Sequence, residues 1–389
     1  VLVGRVRHRP PRGPAVEFRA TYNQREAFQP QVFYYGNLGP KWTFDWLSYI
    51  EDNPSNPTAA VTVYFRGGGR ETVEGFDSAT QTFAPTRRTQ AVVRRASASP
   101  IRYARELADG SVEIFAQPDG AATFPRKVFL TEWRDPQGHA VTLTWDASLR
   151  LVAATDDLAQ VTTVSYDLPT DPLKITRVTD PFGRSASFEY DAGGRLQRIT
   201  DTIGLPSSFT YGTSDILSGV TTPYGTTRFT TGEDGLVRWA ELTDPLGGTE
   251  RVQYGPGLVF SEAAEVLPAG VEVLNADLNH HNTLYWDTRA MAVAPGDPKA
   301  ARDIHWALVA SGLNQSAATI LNEKRPLERR VFTNYLGGGA ITEGTLRKPS
   351  AVGRVLDDGA SQVWRTAYNR RGQVTKRIDP LGRETTYVY

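Results

Sequence analysis

Carboxylates beside proline and glycine are the most frequent reactive groups in this chain of 389 residues. Asp135-Pro-Gln-Gly138, Asp180-Pro-Phe-Gly183, Asp244-Pro-Leu-Gly247 and Asp379-Pro-Leu-Gly382 share one pattern. Paired carboxylates can work as general acid and base, or hold a divalent cation. Three of the five histidines, His280, His281 and His305, lie near Asp277, Asp287 and Asp303, a donor set of the kind that binds zinc. Trp42, Phe44 and Trp46 form an aromatic group of the kind that stacks on sugars or anchors a protein partner. Against a catalytic reading, the chain has no His-Glu-x-x-His and no Gly-x-Ser-x-Gly. Polar surface and core packing are the simpler accounts of these histidines and aromatics, and no cofactor is called for.

The spacing of the aspartates decides what they do. Markers at Asp135, Asp156, Asp180, Asp201, Thr222 and Asp244 follow one another at 21, 24, 21, 21 and 22 residues, and Asp358 and Asp379 are again 21 apart. Between them a second signal recurs: Trp145-Asp146, Tyr166-Asp167, Tyr190-Asp191 with Gly194, and Tyr368-Asn369 with Gly372. Proline second and glycine fourth suit a β-turn, because proline fixes φ and glycine accepts a positive φ. Two short strands and two turns fill such a period, so each repeat reads as one β-hairpin. Ala186, Phe188 and Tyr190 alternate with Ser187 and Glu189, whereas Leu196 and Ile199 break the alternation, which predicts a bulge or a sheet packed on both sides. A lone hairpin cannot bury its apolar face, but a row of them can.

This pattern, Tyr-Asp-x-x-Gly-Arg-Leu followed by Asp-Pro-x-Gly-Arg, resembles the Rhs or YD repeats of bacterial Rhs proteins, Tc-toxin components and teneurins. The likeness covers residues 105–255 and 355–389. It implies a mainly β fold: a YD-repeat hairpin solenoid spiralling into part of a hollow shell, which in relatives encloses a C-terminal toxic polypeptide. Gly36-Asn-Leu-Gly39-Pro-Lys41-Trp42 is similar to the segment ahead of the repeats in Rhs proteins, which usually has glycine where Lys41 stands. Rhs shells often carry a self-cleaving aspartyl-protease motif after the repeats. Asp244-Pro-Leu-Gly-Gly248 and Asp379-Pro-Leu-Gly-Arg383 depart from it at the last position and sit in repeat register, so both read as turns.

Five regions follow. Residues 1–14 are a basic, proline-rich leader, and 15–104 an irregular β or plug-like region. Residues 105–255 are the first repeat block, 256–346 a partly helical insertion, and 347–389 the resumed repeats. Helices are predicted over 282–291 and from Pro298 to Val309, with a third over 315–324. Gly67-Gly68-Gly69 lacks the lysine and hydroxyl of a phosphate loop and reads as a hairpin turn.

Composition narrows the rest. Basic and acidic residues number 43 each, so no overall field favours nucleic acid, although Arg87, Arg88, Arg94 and Arg95 form a basic stripe. Without cysteine there are no disulfides and no thiol chemistry. No apolar run is long enough for a transmembrane helix. The chain begins without methionine and ends within a repeat, which suggests a fragment of a longer protein. The expected partners are the remainder of the same chain, an effector cargo, or a protein or glycan. An open strand edge would also allow self-association. The expected place of work is outside a bacterial cell or on its surface, reached through a secretion system.

Overall fold

In a computed structural model the described residues are 2–24, 26, 32–212, 215–257, 265–272, 280–309, 315–339 and 341–389. They form a mainly β structure with a single short α-helix, Thr288–Val293, among the described residues. The chain divides into two compact units. One comprises residues 1–86 and 91–226, the other 87–90 and 227–389.

The first unit is a row of antiparallel hairpins. From Val112–Pro118 to Leu217–Thr222 each strand pairs with the next in sequence. The strand Arg126–Arg134 is a junction. One edge takes Val112–Pro118; the other takes Tyr49–Asp52 beside its first half and Ala140–Trp145 beside its second. Alternation explains which face is buried. In Ser185–Tyr190, Ala186 and Phe188 are buried while Ser187 and Glu189 are not. The break in period at Leu196 and Ile199 is a bulge: the register slips between Glu189 and Tyr190, so both apolar residues reach the same face.

That face is covered by a second layer. Leu2–His8, Val16–Tyr22 and Trp42–Phe44 make a three-stranded sheet. Phe18 packs edge-on to Phe188 at 5.6 Å, and Trp42 to Phe209 at 4.8 Å. Residues 1–14 are therefore no solvated leader. Leu2–His8 is paired strand, buried His8 meets buried Asp156 at 2.9 Å, and Arg12 meets Asp157 at 2.7 Å. Two of the basic groups that suggested a leader, His8 and Arg12, are spent on carboxylates of the repeats. Gly67, Gly68 and Gly69, all at positive φ, close the hairpin between Val61–Tyr64 and Arg70–Val73.

The second unit continues as a ladder of sequential strands, from Gly225–Asp234 to Glu384–Thr386. Residues 256–346 were expected to turn helical, and here the structure differs. Asn282–Trp286, Arg302–Leu308 and Ser316–Lys324 are strands. Among the described residues of this region, helix is confined to Thr288–Val293, capped by Asp287, and to a 3-10 turn at Pro298–Ala300, capped by Asp297. The reason is a period of two that helix-forming alanine and leucine concealed. Asn282, Leu284 and Trp286 are buried in alternation, as are Asp303, His305 and Ala307. The core here gathers Ala307, Leu321, Phe332, Ala351 and Val363 beneath Val271.

Candidate functional site

The repeat turn is built around one carboxylate. At Asp180, Oδ1 accepts the N–H groups of Phe182 and Arg184 at 2.9 and 3.0 Å, and Oδ2 accepts Arg184 Nε at 2.7 Å. Gly183 N–H donates to the Asp180 carbonyl, and Asp180 N–H to that of Arg184. The same two-pronged acceptor recurs at Asp135, Asp146, Asp156, Asp191, Asp201, Asp244, Asn369 and Asp379. Gly138, Gly183, Gly194, Gly247, Gly372 and Gly382 all take the positive φ that follows. Burial works to raise the Asp180 carboxyl. The Arg184 side chain and the two backbone N–H groups outweigh it and hold the group below the usual carboxylate range. A carboxylate so committed stays ionised and offers a substrate neither a proton nor a free oxygen.

The aromatic half of the signature ties one hairpin to the one before. Tyr166, Tyr190 and Tyr211 donate their hydroxyls to the carbonyls of Leu151, Ile175 and Leu196, each 15 residues earlier. Tyr335 does the same to Ile320, Trp145 Nε1 to Leu130, and Tyr368 donates to Pro349. A cation lies over four of the rings: Arg150 on Tyr166 at 5.1 Å, Lys174 on Tyr190 at 5.7 Å, Arg195 on Tyr211 at 5.1 Å, and Lys348 on Tyr368 at 6.0 Å. Burial pushes the Tyr190 hydroxyl well above its ordinary range, so it remains a donor. The sequence shows the tyrosine period, but not its acceptor, which pairing between hairpins supplies.

Trp42, Phe44 and Trp46 are fully buried. None presents a ring face to a sugar, which corrects the binding expectation; the three rings belong to the core of the first unit. Trp42 Nε1 donates to the Tyr211 hydroxyl at 2.8 Å, and Phe18 stacks on Phe44 and meets Trp46 edge-on. The departure at Lys41 also has a physical meaning. Lys41 has φ 60, a conformation natural to glycine, and its ammonium bonds the carbonyls of Gln24 and Glu26.

The weak metal candidates are placed apart in role. His305 Nδ1 bonds Asn282 Oδ1 at 2.8 Å, while Asn282 Nδ2 donates to Asp303. Asp303 also takes Arg330 Nη1 at 2.8 Å, and Arg330 donates further to Asn322 and Glu265. His281 Nδ1 lies 3.3 Å from Ser316 Oγ, which bonds Tyr254 at 2.8 Å. His280 Nδ1 is buried without a hydrogen-bond partner. Asp287 caps the helix through Ala290 N–H, and Asp277 lies outside the described residues. Among the described residues no three histidine or carboxylate groups are placed to hold a metal ion. Sequence reasoning missed Arg330, a fully buried cation at the centre of this network, because an arginine in the turn ahead of a strand carries no motif.

A family model described as RHS Repeat matches residues 174–202, the stretch holding Lys174, the Asp180 turn, Tyr190 and the Asp191 turn. Those residues carry an Rhs repeat. No curated protein sequence matches this chain. Solved structures similar to it include TcdB2-TccC3-TEV, at 10% identity and TM-score 0.35 over 83% of this chain and 18% of that one. TcdB2-TccC3-Cdc42 follows at 11% and 0.34, over 86% and 16%. TcdB2-TccC3 is at 10% and 0.28, over 94% and 25%. At such scores the likeness bears no weight for fold or function. The chain spans a quarter or less of the length of these structures.

Proposed function

We propose that this Rhs-repeat chain is a wall segment of a β-shell that encloses and shields an effector polypeptide. The observation that carries this reading is the repeat joint itself. Each turn carboxylate is used up in its own hairpin, and each tyrosine is used up on the previous one. Groups so spent extend a sheet and do no chemistry, so activity of the whole would be geometric. The remainder of the same polypeptide or a toxic cargo would be the partner, and the setting a secreted or surface-borne bacterial assembly. The test is protease challenge of the complete gene product. Enclosure predicts that the segment behind the repeats survives intact until the wall is unfolded with urea. Cleavage of that segment at the rate of an isolated unfolded polypeptide would overturn the proposal.

A further inference from the structure

The residue two places before each repeat tyrosine, or its tryptophan counterpart, separates two kinds of hairpin. In the first unit it is Leu143, Val164, Phe188 and Phe209, all buried. Across the strand pair Phe188 faces Ile199, and Phe209 faces Val220. The covering polypeptide lands on this row: Phe18 on Phe188, and Trp42 on Phe209 with its Nε1 on the Tyr211 hydroxyl. In the last complete repeat the same place before Tyr368 holds Thr366, and its cross-strand neighbour is Arg377 instead of an aliphatic residue.

Beside Thr366 lies a groove of about 770 Å³, lined by Val352, Trp364, Thr366, Tyr368, Arg377 and Tyr387. Its size is that of a ligand site. Trp364 is 43% exposed within it. The opposite face of the same strands carries buried Ala351 and Val363 under Val271, so the core of the second unit lies on the other side. The Arg377 guanidinium lies 5.8 Å from the Tyr387 ring and makes no ion pair among the described residues.

We infer that this groove binds an extended polypeptide segment that pairs an aromatic ring with a nearby carboxylate. The ring lies on Trp364 above Thr366, as Trp42 lies on Phe209, and the carboxylate meets Arg377. A polypeptide is favoured because a polypeptide occupies the equivalent face in the first unit. The negative charge follows from arginine standing where Ile199 and Val220 stand. The inference rests on the comparison of repeats, not on enclosure of a cargo, so either reading can fail alone.

The chain's own residues 40–46, Pro-Lys-Trp-Thr-Phe-Asp-Trp, supply the probe. A fluorescent peptide of this sequence is titrated with the full chain. Saturable binding is expected, weakened at least about tenfold by Trp364→Ala, which removes the ring that the peptide's aromatic lies on, and by Arg377→Glu, which reverses the charge. Replacing the peptide's aspartate with asparagine should also weaken it. Arg371→Ala, in an exposed turn, should leave it unchanged. Circular dichroism confirms that each variant is folded; Arg377→Glu, on an exposed side chain, decides if Trp364→Ala is not. No saturable binding, or binding indifferent to both groove variants, overturns the proposal. So does an acidic oligosaccharide such as polygalacturonate binding the groove more tightly than the peptide.

Discussion

Replacing Asp180 separates the geometric role of the turn carboxylate from its charge. Asp180→Ala removes the acceptor of two backbone N–H groups and of Arg184 Nε. Loss of a carboxylate that satisfies terminal N–H groups costs about 1 kcal/mol, because water recovers part of the bonding. The Arg184 bond adds up to about 1 kcal/mol, discounted because that arginine is half-exposed. The alanine variant should therefore lose about 2 kcal/mol. Asp180→Asn keeps the oxygen that takes both backbone N–H groups, and loses the charge and the oxygen that takes Arg184 Nε. The chain already shows that asparagine fits: Asn369 accepts Arg371 and Gln373 N–H at 2.9 and 3.0 Å. The asparagine variant should lose about 0.5 kcal/mol. With a urea slope of about 2 kcal/mol per molar, the midpoint of the first unit should fall by about 1 M for alanine and about 0.25 M for asparagine. The Asp180 carboxyl is held below its unfolded range, so its contribution is present above about pH 4 and is lost as pH falls further. The gap between wild type and Asp180→Asn should then close in acid. Equal loss in both variants, or a gap that widens in acid, would refute the account.

Three further outcomes follow from the same geometry. Ala159 is exposed at φ 61 in the place where other turns have glycine, so Ala159→Gly should stabilise by about 0.5 kcal/mol, strain relief outweighing chain entropy. Gly183→Ala, where an added Cβ meets nothing within 4 Å, should cost about 1 kcal/mol from conformation alone, and urea midpoints of the opposite sign check the pair. Tyr211→Phe removes both the bond to Leu196 and the acceptor for Trp42, and should cost about 2 kcal/mol; Tyr368→Phe, with its single bond to Pro349, should cost about 1. The reverse ranking in denaturation would count against the ladder. Arg330→Ala leaves Asp303 buried without its cation and should cost about 3–5 kcal/mol, read as early unfolding of the second unit; a loss below about 1 kcal/mol would refute the network.

The legible part of the chain was the part written in local chemistry. Proline, glycine and aspartate at fixed offsets specify a turn within four residues, so the repeat at Asp180 and Tyr190 follows from sequence alone, while strand register chose the bulge at Leu196 over a sheet packed on both sides. The strand Arg302–Leu308 was missed because its buried partners, Asp303 and His305, are polar, and an alternation of polar residues looks like surface until Asn282 and Arg330 are seen to satisfy them. The aromatic segment was misplaced for a similar reason. Trp42 is the same residue whether it stacks on a sugar or on Phe209, and only the covering sheet decides.

The sequence by itself determined the hairpin unit, its period and its turn chemistry, because those depend on neighbours a few residues apart. Tertiary structure alone decided which face of each hairpin is closed. Phe18 and Trp42 reach Phe188 and Phe209 across more than 160 residues of chain, while among the described residues no such ring packs on Thr366 and Arg377. Burial depends on what packs from elsewhere, and no local pattern records it.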